Sequence, residues 1–343
     1  MAPSLDRNAS ELPKTSGSTK NEGFAEENVC LKTRRFSPSR TSDGLVLTIA
    51  LDSLSDCRYF SMPELPEVEL LKRGLTKYVC GQTISSLVVK TPRLVVGEFR
   101  QAIGGTIVQV RRFGKMLSVD LSNGWSIAIH VKMTGRLIYR GEKQPTRLSV
   151  NPDLEDLPNA HTHVIFSFRS GDRLFYNDVR KFGWLKFLPT SAIASLPFVA
   201  KLGPEPFRNL SFEQFVRLFG KISRPTKTLL MDQERVAGVG NIYANEALFC
   251  ARISPLRKAN TLRDKEINTL YECILKVLQD GMNYGGSSTD SFRDVLGQKG
   301  NYQNHYKVYD REGKRCKRKG CGGTVKKMKL SGRGTYWCPV CQR

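Results

Sequence analysis

No apolar run in the 343-residue chain is long enough to cross a membrane; the longest near the N-terminus reaches only from Leu45 to Leu51. No small-residue cleavage pattern follows it, so a secretory signal is excluded and a soluble, intracellular protein is expected. Internal repeats are missing too. Acid is scarce: 32 Asp and Glu face 54 Lys and Arg, a net charge of +22. The shortage is local. Residues 1–61 hold eight of each sign, whereas residues 62–343 hold 24 acidic and 46 basic residues, so the whole excess belongs to the part that begins at Met62. Residues 311–343 contain one acid, Glu312, beside eleven Lys and Arg. Such an excess, without an amphipathic membrane helix, points to a polyanionic partner, nucleic acid above all.

The length suits two or three domains, and 40% hydrophobic with 25% charged residues is ordinary for a globular protein. Nine cysteines do not pair off neatly. Cys80, Cys250 and Cys273 stand in apolar surroundings, where a reduced thiol acts as a small hydrophobe, as a reducing compartment would allow. The last four cluster as Cys316-x4-Cys321, sixteen residues, then Cys338-x2-Cys341, which supplies four thiolates for one tetrahedral zinc ion. A redox reading of the second pair leaves the first pair unexplained. A closed four-cysteine site has no open coordination position, so this zinc builds structure. A hairpin pairing Thr324 to Leu330 with Thr335 to Cys338 is expected between the two pairs. Arg333 lies at its tip, in Ser331-Gly332-Arg333-Gly334, placed to reach a phosphate; the plainer reading is a solvated turn arginine.

Residues 1–43, rich in Ser, Asn, Lys, Glu and Pro, read as disordered. Arg34, Arg35 and Arg40 fit an organellar transit peptide, but Glu22, Glu26 and Glu27 do not. The favoured expectation is that translation begins at Met62, because Met62-Pro-Glu-Leu-Pro-Glu-Val-Glu looks like an ordinary protein start. The position of Pro63 then matters chemically. Inside a chain its nitrogen is an amide; at a chain terminus it is a secondary amine that attacks carbonyl carbon to form an iminium.

A helix is expected from Pro66, with Glu67 and Glu69 at its positive end and Gly81 as its stop. Strands follow at Thr83 to Val89, Gly105 to Arg112, Met116 to Leu121, Trp125 to Val131, His163 to Phe168, Arg173 to Asn177 and Gly183 to Phe187, a β-sandwich or barrel pattern. Beyond a Pro-rich connector, Leu202 to Pro206, the period becomes helical: Ser211 caps Phe212 to Lys221, Leu229 and Leu230 share a short helix, and Asn241 to Ala251 and Leu262 to Met282 follow. The fold class is therefore α+β and multidomain. The divisions are 1–61 as an extension or mis-called start, 62–195 as a β-sandwich with a leading helix, 196–310 as a helical domain with a loop after residue 283, and 311–343 as a zinc ribbon.

The start motif, the segment Met231-Asp-Gln-Glu-Arg-Val-Ala-Gly-Val-Gly-Asn-Ile-Tyr-Ala-Asn-Glu-Ala and the closing Cys-Pro-Val-Cys-Gln-Arg together resemble the bacterial formamidopyrimidine-DNA glycosylases across residues 62–343. The resemblance implies a β-sandwich, a helix-two-turn-helix domain and a zinc finger. It also implies a monomeric repair enzyme on damaged double-stranded DNA, cytoplasmic and nucleoid-associated, that excises oxidised purines such as 8-oxoguanine and cleaves the abasic strand by β,δ-elimination. Pro63 would be the nucleophile at the sugar C1′, Glu64 would assist proton transfer and Glu67 would support the site. Read without the resemblance, Pro63 starts a helix and the glutamates complement its dipole.

Lys115, in Arg-Arg-Phe-Gly-Lys-Met, matches the lysine that binds phosphate beside the lesion, and Asn241, with amides of a helix start, matches a second phosphate grip. A solvated turn lysine and a plain N-cap are the alternatives. Met133, Arg180 and Phe182 match the side chains that hold the gap of an extruded base, with the arginine reading the opposite cytosine. Gly285 to Gln303 resembles the lid over that base. The first cysteine pair departs from the family, which commonly has two intervening residues. His161 and His163 are expected on a strand, not on a metal. Two alternatives stand: an endonuclease VIII-like enzyme for oxidised pyrimidines, and a non-catalytic lesion-binding protein if residues 1–61 stay attached.

Overall fold

The computed structural model of the chain describes residues 37–41, 44–48, 62–145, 154–289 and 291–343. It divides into two compact units, Met1–Tyr59 and Phe60–Arg343. In the first, β1 (Ser37–Thr41) pairs antiparallel with β2 (Gly44–Thr48), Ser37 opposite Thr48. This hairpin corrects the reading of disorder up to residue 43: the Leu-Val-Leu-Thr run that follows Gly44 is strand-forming sequence and gives the residues before it a partner. The other features expected in residues 1–61 lie outside the described residues.

The second unit opens with α1 (Leu65–Val79), with Pro66 in its first turn and Gly81, at φ +83°, just past its end. The chain then forms β3 (Ile84–Val89), β4 (Val95–Val96), β5 (Ile107–Phe113), β6 (Met116–Leu121), β7 (Trp125–His130), β8 (Gly135–Arg140), β9 (Thr162–Phe168), β10 (Arg173–Asp178) and β11 (Trp184–Pro189). Two sheets result, in the orders β3-β9-β10-β8 and β4-β11-β7-β6-β5. Their inner faces share one core that includes Val119, Ile129, Leu137, Phe166 and Leu185, onto which α1 lays Val68, Leu71 and Leu75. Every residue of β6 is buried because its other face is covered too, by a smaller cluster of Met116, Ala128, Ile193 and Leu196.

The strands β8 and β4 were not expected. Gly135 reads as a turn residue, yet a Cβ there would lie 2.4 Å from the Val131 carbonyl, so close backbone packing explains it better.

The helical part contains α2 (Pro197–Ala200), α3 (Phe212–Lys221), α4 (Thr226–Leu230), α5 (Asn241–Cys250) and α6 (Asp264–Asn283). Ser211 caps α3 as expected, its hydroxyl accepting from the Gln214 amide at 3.2 Å. Phe215, Leu229, Leu248 and Ile274 form its core, and the same core takes in Leu65, Val325 and Cys338. Here one expectation fails: Cys250 and Cys273 form a disulfide where two reduced thiols were read. Their apolar surroundings are those of a contact between α5 and α6, which brings the two Cα atoms to 5.8 Å.

The final hairpin is β12 (Lys326–Leu330) with β13 (Arg333–Trp337). Its two-residue turn is Ser331-Gly332, at φ +47° and +75°, the conformation that matches strand twist. Arg333 therefore opens β13, opposite Leu330, and does not sit at the very tip.

Candidate active site

The residues before and within the first turn of α1 are stitched onto the start of α5. Leu65 donates its N–H to the Gly238 carbonyl at 3.0 Å. The Glu64 carboxylate accepts from the amides of Ile242 at 2.8 Å and Tyr243 at 3.4 Å. Glu67 turns back to accept from the Glu64 amide at 2.9 Å, and also takes the Tyr243 hydroxyl at 2.7 Å and the Ser287 amide at 2.8 Å. Glu67 thus serves its own helix start in a capping box with Glu64, the N-cap of α1, while the Glu64 carboxylate also reaches a different helix. Two amides of the first turn of α5, those of Ile242 and Tyr243, are turned to Glu64.

Both carboxylates are almost completely buried. Burial pushes the Glu64 carboxyl up to about 7, against the pull of the Lys115 cation and the two helix amides; burial raises Glu67 as well. A carboxyl that titrates near neutrality can both donate and accept a proton. The approach requires glycine. A Cβ on Gly240 would lie 2.3 Å from Glu64 Cδ, so the Gly-Val-Gly turn is shaped around this carboxylate.

Pro63 is buried and lines a small cleft with Glu67, Ile242, Ser287, Thr289 and Phe292. The lid segment closes it from the far side. A Cβ on Gly286 would meet Phe292 at 2.9 Å and Glu67 at 3.2 Å, and the Gly300 amide donates to Ser288 Oγ at 2.8 Å, which joins the two ends of the segment.

Lys115 follows the Phe113-Gly114 turn between β5 and β6 and is buried, its charge acting on Glu64. The turn is held by Glu205 of the Pro-rich connector. That carboxylate accepts from the Gly114 amide at 3.0 Å and from both terminal nitrogens of Arg112, at 2.6 and 2.9 Å, while Arg112 Nε reaches Glu69 at 2.9 Å. Sequence reading missed Glu205, whose partners lie some ninety residues away.

Met133, Arg180 and Phe182 come together. Arg180 donates to Met133 Sδ at 3.5 Å, and its guanidinium lies 4.6 Å from the centre of the Phe182 ring. Phe182 is 47% exposed. Both loops are ordered by buried Asp178, which accepts from Thr134 Oγ1, the Arg180 amide at 3.2 Å and the Gly183 amide at 2.8 Å. Lys132 and Lys181, next to Met133 and Phe182, hold left-handed φ values of +48° and +57°. His163 bonds Thr91 and the Asp178 carbonyl, and belongs to β9 as expected.

Asn241 is the first residue of α5, one place after the Gly240 N-cap. Arg333 is carried by β13, under which Lys227 of α4 is buried. Its ammonium donates to the Gly334 carbonyl at 2.9 Å and to Thr335 Oγ1 at 2.8 Å. Burial brings the Lys227 ammonium down to about 7, with Glu64 opposing and Arg333 adding to the shift. The only sequence signal for Lys227 was a lysine inside a short apolar helix.

The four tail cysteines converge, with Cys316 and Cys341 sulfurs 3.8 Å apart and those of Cys321 and Cys338 3.6 Å apart. A tetrahedron with zinc–sulfur bonds of ~2.3 Å has edges of ~3.8 Å, so the donor set fits zinc in both type and size. Among the described residues this is the group of three or more metal-ligating side chains that comes together. The longer first knuckle has a use: it carries Arg318, whose guanidinium lies 4.7 Å from the centre of the Phe249 ring and donates to the Phe249 carbonyl.

The chain matches three consecutive family domains: the formamidopyrimidine-DNA glycosylase N-terminal domain over residues 62–185, its H2TH domain over 202–293, and the zinc finger found in FPG and IleRS over 313–343. The formamidopyrimidine-DNA glycosylase of Pelotomaculum thermopropionicum is 41% identical over 289 residues, covering 82% of this chain and 99% of that one. The chain belongs to the formamidopyrimidine-DNA glycosylase family. Among solved members, the MutM (Fpg) protein of Thermus thermophilus is 37% identical with a TM-score of 0.71, covering 82% of this chain and 98% of that one. The Lactococcus lactis Fpg, solved with DNA containing an abasic site, is 34% identical with a TM-score of 0.71, covering 82% of this chain and 99% of that one. The family is one of DNA-repair glycosylases with an abasic-site lyase activity, and its zinc-finger match makes the four-cysteine cluster the place of one structural zinc ion. No helix among the described residues is long and apolar enough to cross a membrane.

Proposed function

We propose that this chain, once it begins at Pro63, excises oxidised purines such as 8-oxoguanine and formamidopyrimidines from duplex DNA and then cuts the abasic strand. The observation that carries this reading is the meeting of Pro63, Glu67 and the lid in one small cleft, with Glu64 bonded to Glu67 through its amide and the charge of Lys115 acting on the Glu64 carboxyl. The secondary amine of Pro63 attacks the sugar C1′, the bond from C1′ to the base breaks, and the base leaves with a proton. Glu64, poised near neutrality, gives a proton to the sugar ring oxygen as the ring opens and an iminium forms. The iminium withdraws electrons from C2′, so loss of the C2′ proton expels the 3′ phosphate, and a second elimination expels the 5′ phosphate. Glu67 fixes Glu64 and the lid through its hydrogen bonds.

Lys115, Asn241 and Arg333 bind backbone phosphates on either side of the flipped nucleotide. Met133, Arg180 and Phe182 fill the vacated stack, with the arginine facing the orphaned cytosine. Cys316, Cys321, Cys338 and Cys341 hold the zinc that shapes the hairpin carrying Arg333. The working divisions are residues 62–195, 196–310 and 311–343, with residues 1–61 an extension or mis-called start outside the catalytic part. The enzyme acts as a monomer on chromosomal DNA in the cytoplasm.

The test is strand nicking by the chain from Pro63 onward on two duplexes. Cleavage of 8-oxoguanine paired with cytosine at a much higher kcat/KM than a dihydrothymine duplex is expected. The opposite order would place the chain with enzymes for oxidised pyrimidines.

A further inference from the structure

Two of the side chains assigned to phosphates stand on different elements, Asn241 at the start of α5 and Arg333 at the start of β13. A single buried amide lies between those elements. Asn245, one turn beyond Asn241 and 1% exposed, donates from Nδ2 to the Asn241 carbonyl at 2.6 Å and to Asn241 Oδ1 at 3.3 Å. On its other side, Asn245 Oδ1 accepts the Tyr336 amide of β13 at 2.8 Å. The orientation of this amide is forced: the Tyr336 N–H can only donate and the Asn241 carbonyl can only accept.

We propose that Asn245 is a positioning residue that couples Asn241 to the Arg333 strand, so that the two phosphate grips act as one unit. The inference rests on the proposed function. Its chemistry concerns the side-chain amide of Asn241. With Oδ1 turned toward Asn245, the two N–H donors of Asn241 lie on the opposite side of the same planar group. Donors are what a phosphate oxygen needs; the flipped amide would present an oxygen and repel it. Asn245 thereby selects the productive rotamer of Asn241 and, through Tyr336, sets where β13 lies along α5. Lys227 supports the same strand from α4, its ammonium donating to the Gly334 carbonyl and Thr335 Oγ1. Asn245 has a hydrogen bond to each side.

A double-mutant cycle tests the coupling. The measured quantity is the affinity of the chain from Met62 onward, which corresponds to the whole length of its relatives, for a duplex carrying a tetrahydrofuran abasic analogue. Asn245→Ala alone is expected to weaken binding about tenfold, the usual effect of losing a buried hydrogen-bonding group. In an Arg333→Ala background the same change should cost clearly less, about threefold, because only the Asn241 grip is then left to lose. The salt dependence gives a readout that general loosening of the fold would not move. Each lost contact between a cationic side chain and a phosphate lowers the slope of log affinity against log salt by about 0.9, so Asn245→Ala, acting through Arg333, should lower it by up to one such step, the neutral Asn241 adding none. Zinc content and melting temperature check the fold, and Asn245→Ser, which keeps a hydroxyl donor and acceptor, serves if the alanine variant loses zinc. Equal losses in both backgrounds, or an unchanged salt slope, would overturn the coupling while leaving the proposed function intact. A wild-type chain that bound the abasic analogue no better than undamaged duplex would overturn both.

Discussion

Glu64 accepts a hydrogen bond from the amide of Ile242 at 2.8 Å, across 178 residues of sequence, and this places a buried carboxylate on the positive end of α5. Burial still wins over that helix end and over Lys115, since the carboxyl rises to about 7. Two consequences follow for pH. The folded pKa exceeds the ordinary 4.5, so the folded chain binds the extra proton between these values and stability falls as pH rises from about 4.5 through about 7. Glu64→Gln, which cannot ionise, should flatten that decline in thermal denaturation curves taken from pH 4.5 to 8. Base excision, which uses the protonated carboxyl, should decline above pH 7 in the wild type, and that alkaline limb should vanish with the slow residual activity of Glu64→Gln.

Gly240→Ala should damage chemistry more than folding. Its Cβ would fall 2.3 Å from Glu64 Cδ, and the end of a buried side chain with two amide partners cannot move without losing them. Overpacking of this kind costs roughly 1–3 kcal/mol of stability. The expected result is a modest fall in melting temperature with a loss of at least ~100-fold in single-turnover excision, the scale associated with one general acid.

The parts of the fold that local pattern could show were legible. The bounds of β6 at Met116–Leu121 and of α3 at Phe212–Lys221 match the sequence reading, because a short run ended by the Ser-Asn-Gly turn and a Ser-x-x-Gln cap are local signals. Motifs singled out Pro63, Lys115 and the tail cysteines, and the structure lines a small cleft with Pro63 and brings the four cysteines together. What stayed hidden depends on partners far along the chain. Lys227 meets Gly334 and Thr335 more than a hundred residues away, Glu205 meets the Gly114 turn, and Cys250 meets Cys273 only when α5 and α6 pack. Without the family resemblance, Glu64 and Glu67 were indistinguishable in sequence, since both look like dipole-complementing residues at one helix start.

Removal of zinc should release the ribbon without unfolding the sandwich. Cys338 is fully buried in the core shared by the helices and the tail, and structural zinc sites of this type hold their metal with about 10–16 kcal/mol. Chelation or Cys338→Ser should abolish binding to lesion duplexes, measured by fluorescence anisotropy. Proteolysis should then cut within residues 311–343 first, while the β-sheet signal in circular dichroism persists.

Arg180 and Phe182 should separate by phenotype. Phe182→Ala removes an exposed wedge and should lower kcat/KM for every lesion alike. Arg180→Ala should narrow the preference for cytosine opposite the lesion by roughly 1–3 kcal/mol, the worth of a good base contact, while cleavage of a preformed abasic site changes little. Kinetics on 8-oxoguanine paired with each of the four bases measures both effects.

The central claim is that the Pro63 nitrogen, as a free secondary amine, is the nucleophile. Borohydride reduction during reaction with 8-oxoguanine duplex, followed by peptide mass spectrometry, tests it most directly. The chain beginning at Pro63 should yield a covalent DNA adduct on the Pro63 nitrogen, and the chain retaining residues 1–62 should yield none. An adduct on a lysine such as Lys115 or Lys227, or no adduct from the chain that begins at Pro63, would contradict the account.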